Sequence, residues 1–120
     1  MTMPDAAIGC VANIWSKMMH FKNAGDTEQG HSHKFDHLTL LTLGSLQVIV
    51  DGIASEFKAP QMIYIKAGKV HELIALEDNT VAYCIHALRD DEGIILDPSM
   101  IPTGINKDNV FNYASALITE

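Results

Sequence analysis

The histidines carry the chemistry of this sequence. Six occur in 120 residues, and three fall within one short run, Gly30-His31-Ser32-His33-Lys34-Phe35-Asp36-His37. On an extended strand, side chains alternate between faces with a period of two. That spacing puts His31, His33 and His37 on one face, and Lys34 and Asp36 on the other. Three imidazoles turned to one side make a poor core and a good transition-metal site, because each offers a nitrogen donor that such ions prefer. His71 follows the turn Lys66-Ala67-Gly68-Lys69, at the start of a later strand that a β-barrel can bring beside the first. His86 lies one strand further on, where an inward imidazole could act as a base or touch a substrate. His20 carries a weaker form of the same signal.

Positioning these residues falls to a series of short strands. Asn13 to Lys22 alternates without a dominant apolar face, and Asn23-Ala24-Gly25-Asp26 is a turn. Leu38 to Leu43 is apolar and β-branched, and ends at Gly44-Ser45. If His37 faces inward, Thr39, Leu41 and Leu43 share its face, while Leu38 and Leu40 point outward. Leu46 to Val50 leads to Asp51-Gly52, a strong hairpin signal, and Ile53 to Lys58 is the return strand. Ala59-Pro60-Gln61 breaks that strand, since proline cannot donate to a ladder. Met62 to Ile65, Val70 to Leu76 and Thr80 to Leu88 complete the set. About seven short strands with turn residues between them predict an all-β sandwich or barrel. Residues 1–12 read as a loose arm or an edge strand. The tail, 97–120, reads as irregular and then as a short helix from Asp108, with Val110, Phe111, Ala114, Leu117 and Ile118 at helical spacing.

Composition narrows the function. At 48% hydrophobic and 19% charged residues, the chain reads as one soluble globular domain spanning 1–120. A net charge of −7 with scattered lysines and arginines argues against nucleic acid as a partner. No apolar run approaches the roughly 20 residues that cross a bilayer, and the N-terminus lacks a basic signal region. Cys10 and Cys84 do not make a disulfide framework. The expected setting is the cytoplasm, with both thiols reduced.

The two histidine segments together resemble the cupin superfamily, whose first motif reads G-x5-HxH-x3,4-E-x6-G. Gly25, His31 and His33 match it, and six residues separate His37 from Gly44. Its second motif reads G-x5-PxG-x2-H-x3-N, which Gly68 and His71 match. Pro60, Lys66 and Ala75 depart from it, and His37 stands where the family usually has glutamate. The likeness covers about residues 25–88 and looks like a small four-histidine subgroup.

The resemblance implies a single-domain antiparallel double-sheet barrel. It implies that His31, His33, His37 and His71 bind a divalent transition metal: Fe, Mn, Ni, Cu or Zn. Four imidazoles leave two positions open on a six-coordinate ion. The first expectation is therefore a metal-dependent, dioxygenase-like oxidoreductase acting on a small oxygenated or anionic molecule. The alternatives are a non-redox isomerase or lyase, and a ligand-binding sensor without turnover. Outward leucines, and the habit of small cupins, imply a homodimer. Tyr64, Phe35, Trp15 and Met62 are candidates for an apolar wall over the metal, or, as such residues more often are, for the core.

Overall fold

The computed structural model describes residues 2–30 and 32–101. Nine strands follow in chain order: β1 Asp5–Val11, β2 Ile14–Phe21, β3 Thr27–Glu28, β4 His37–Leu43, β5 Ser45–Val50, β6 Ile53–Lys58, β7 Gln61–Ile65, β8 His71–Ala75 and β9 Thr80–Ala87. A 3-10 turn follows at Pro98–Met100. They form a five-stranded sheet in the order β1-β2-β9-β4-β7 and a four-stranded sheet in the order β3-β8-β5-β6. Every strand pairing is antiparallel. The expected all-β double-sheet barrel is thus the observed fold. Among the described residues no helix is long and apolar enough to cross a membrane.

Turn chemistry accounts for where the strands stop. Asp51 and Gly52 take φ +48° and +82°, as a two-residue hairpin requires, and Val50 pairs with Ile53 across it. Gly44 is where the chain leaves one sheet for the other, at φ +81°. A Cβ there would lie 2.3 Å from Thr80 Oγ1 and 2.9 Å from Thr80 Cα, so both conformation and space demand glycine. The sheets close on one core. Met19, Phe21, Leu41, Leu46, Val48 and Leu73 meet there, each essentially removed from solvent. Burying each such side chain contributes roughly 1.5–3 kcal/mol.

Two expectations change. First, the described part of the histidine run is not a strand: β4 begins only at His37. The hydrogen bonds of residues 33–36 go to the β7–β8 turn instead. The His33 carbonyl accepts from Gly68 N–H at 2.7 Å, and Asp36 Oδ1 accepts from Ala67 N–H at 2.7 Å. Simple alternation therefore does not place His33. Second, inward alternation holds for His37, Thr39 and Leu41, but the β4–β9 register shifts between Leu41 and Leu43, which leaves Leu43 exposed. Of the two readings of residues 1–12, the edge strand is the one observed, as β1. The helix expected from Asp108 lies outside the described residues.

Candidate functional site

His37 opens β4 and His71 opens β8, so the two sheets present one imidazole each at the same end of the barrel. Both are buried, at 6% and 7% exposure. Pairing places His37 opposite Ile65 and His71 opposite Val50. His33 reaches the same place from the loop. Its ring centre lies 5.4 Å from that of His37 and 5.6 Å from that of His71, and the His37 and His71 centres are 4.8 Å apart. Three of the four predicted ligands thus converge from three separate segments. His31 lies outside the described residues. Among those residues no group of three or more His, Cys, Asp or Glu side chains is arranged to hold a metal ion.

The three histidines line a cavity in which about 40 Å³ is open to the centre of a water molecule. That is room for roughly three waters. Lys17, Glu28 and Cys84 line it too. Lys17 Nζ donates to Glu28 Oε1 at 2.6 Å, with both side chains mostly buried. A carboxylate therefore lines the same cavity as the imidazoles, and its charge is balanced by the lysine. Burial pushes the Cys84 thiol up to about 11, with Thr39 Oγ1 3.8 Å from its sulfur. It stays protonated near neutrality and is no nucleophile.

His86 lines the same cavity. Its ring stacks on Trp15 at 4.4 Å and 15°, and Phe35 packs on it at 4.2 Å and 42°. Its Nδ1 lies 2.6 Å from the Ala87 carbonyl oxygen. Burial holds its pKa below the ordinary imidazole value, partly offset by that hydrogen bond. Trp15 and Phe35 thus pack against His86, and Trp15 is at the same time part of a buried core cluster. Tyr64 and Met62 do neither: they stand 73% and 57% exposed on the outer face of the five-stranded sheet. His20 bonds to Asn79 Oδ1 at an exposed position, away from the site. Alternation from Trp15 and Met19 could have revealed Lys17. Nothing local marks Glu28, whose strand has two residues.

A larger space of about 340 Å³ opens between the unpaired edges of β6 and β7, walled by Val50, Ile53, Phe57, Ile63 and Ile65. Because Val50 pairs with His71 and Ile65 with His37, this apolar space borders the histidines.

No protein-family model matches the chain, and no curated protein matches it. Solved structures do. A double-stranded β-helix domain protein from Klebsiella pneumoniae superposes with a TM-score of 0.63 at 18% identity, covering 71% of this chain and 76% of its own. A cupin superfamily protein from Desulfitobacterium hafniense gives 0.57 at 14% identity, over 65% and 70%. The fold is the cupin fold. KdgF from Halomonas sp. is a further cupin-fold neighbour, with a TM-score of 0.59 at 17% identity over 68% and 74% of the two chains. Identities this low speak for the barrel and not for the reaction.

Proposed function

We propose that this cupin-fold protein binds a divalent transition metal through His33, His37 and His71, with His31 assigned as fourth donor by the motif, and uses the site on a small oxygenated or anionic molecule. The observation that carries this reading is the mutual spacing of the three imidazoles. With a metal–nitrogen bond of about 2.1 Å and the ring centre about 1.1 Å beyond the nitrogen, two imidazoles on one ion have centres about 4.5 Å apart at a right angle and about 5.2 Å apart at the tetrahedral angle. The separations of 4.8, 5.4 and 5.6 Å lie near that range. The backbone therefore suits a shared ion, and side-chain rotation is what remains to converge the nitrogens.

A bound transition ion supplies Lewis acidity and, where it is redox-active, electron transfer. The protein's own groups do the rest. The walls exclude bulk water, which strengthens the ion's pull on an anionic ligand, while the Lys17–Glu28 pair adds no net charge of its own. The first reaction class is oxidative and dioxygenase-like, since imidazole donors suit redox-capable ions. A second, a metal-assisted isomerase or lyase, is favoured by the Glu28 carboxylate and the His86 imidazole at the same cavity, because proton transfer needs a placed acid and base. Metal analysis of protein purified without chelator tests the reading. Iron, manganese or copper near one per chain, with oxygen uptake on small hydroxy or keto acids, supports the first class. Zinc or nickel without oxygen uptake supports the second. A protein that takes up no transition metal on reconstitution overturns both.

The assembly expected is a homodimer through the outer face of the five-stranded sheet. Cross-strand neighbours there form two apolar rows, Met18, Tyr83, Leu40 and Met62 in one, and Ile85, Leu38 and Tyr64 in the other. A second copy would cover them. Light scattering should return twice the chain mass, and a Tyr64→Glu, Met62→Lys variant should return the monomer. A monomeric parent protein refutes the dimer. Free Cys10 and Cys84 suit the reducing cytoplasm assigned to it.

A further inference from the structure

We propose that His86 is the hydrogen-bond acceptor of the site, and that its Nε2 lone pair selects ligands carrying an O–H group over their deoxy counterparts. The inference rests on the proposed metal site for where the ligand binds, but its chemistry comes from His86 alone.

The tautomer follows from one contact. A backbone carbonyl can only accept, so the 2.6 Å approach of Nδ1 to the Ala87 oxygen places the proton on Nδ1. Nε2 is then a bare lone pair. It is buried, and it has no hydrogen-bond partner among the described residues. The ring cannot easily turn this nitrogen elsewhere. Trp15 and Phe35 pack on it at 4.4 and 4.2 Å, and a flip would forfeit the Ala87 bond. Trp15 and His86 are direct cross-strand partners of β2 and β9, so the stack is part of the sheet.

The cavity around His86 is the one that His33, His37 and His71 line. Of its other polar groups, Lys17 and Glu28 are occupied with each other, and Gln29 is exposed. A ligand hydroxyl entering this space in place of water therefore meets an acceptor already oriented and shielded from bulk solvent. A ligand lacking that hydroxyl leaves the lone pair buried and unmet. Sites of this kind reject the deoxy analogue by about tenfold or more.

Two measurements test this. In metal-free protein, long-range proton–nitrogen spectra at neutral pH should show His86 neutral with its proton on Nδ1, the signal being assigned by its loss in His86→Phe. A proton on Nε2 overturns the proposal whatever the metal content. In metal-loaded protein, glycolate should bind about tenfold or more tighter than acetate. Part of that preference comes from chelation and persists in every variant. His86→Phe, which keeps a ring in the stack and is not a ligand, should retain metal uptake and lose most of the preference. His86→Gln, whose Oε1 can still accept, should recover part of it. An undiminished preference in His86→Phe refutes the inference and leaves the metal reading intact. Absence of metal uptake refutes the metal reading, while the tautomer result still decides for or against His86.

Discussion

Gly44→Ala is expected to cost about 3 kcal/mol or more, or to prevent folding. The added Cβ would stand against the Thr80 hydroxyl and 2.9 Å from Thr80 Cα, and residue 44 would have to keep a φ of +81°. Rotating the Thr80 side chain does not relieve the contact, because Thr80 Cα is backbone and the residue is fully buried. The chain at residue 44 must therefore lift from β9. That strains the bond from Ser45 N–H to Thr80 Oγ1 and the pairing of Thr80 with Phe21. Urea denaturation measures the loss. Gly25→Ala serves as the reference: it meets nothing within 4 Å and pays only for its φ of +93°, at roughly 1–2 kcal/mol. A Gly44→Ala variant no less stable than Gly25→Ala would show that the contact with β9 yields freely.

His71→Ala is expected to lower transition-metal affinity about a hundredfold or more, since even groups that only support a metal ligand are worth 10–100-fold. The substitution removes an inward side chain at the first residue of β8 and leaves the backbone pairing with Val50 available, so the barrel should persist. The cleanest readout is thermal. A metal that binds only the folded chain stabilises it by about 2.7 kcal/mol at a hundred times its dissociation constant, which for a chain of this size raises Tm by about 10 °C. The parent protein should show that rise with added metal, and His71→Ala should not. An equal rise in both would remove His71 from the ligand set. His37→Glu complements the test: retained binding with a changed order of metal preference is expected if residue 37 touches the ion.

How much of this was legible beforehand varied with the range of the interaction. Strand ends were legible because turns are local. Asp51-Gly52 and the Pro60 break each state their conformation within two residues. The inward run of His37, Thr39 and Leu41 was legible because a strand alternates. Its failure at Leu43 was not, because the β4–β9 register shift depends on how β4 meets a strand some forty residues away. His33 was placed correctly near His37 for the wrong reason. The loop is held by the Lys66–Lys69 turn and not by strand geometry.

The sequence by itself determined the all-β class, the turn positions and the candidate histidines, since these rest on residue type and short spacing. Tertiary structure alone decided what stands around those histidines. The Lys17–Glu28 pair joins β2 to β3, and the Trp15–His86 stack joins β2 to β9. The 340 Å³ apolar space exists only where β6 and β7 fail to pair. Each depends on which strands become neighbours, and in a barrel that choice is made by burial of the common core rather than by any stretch of sequence.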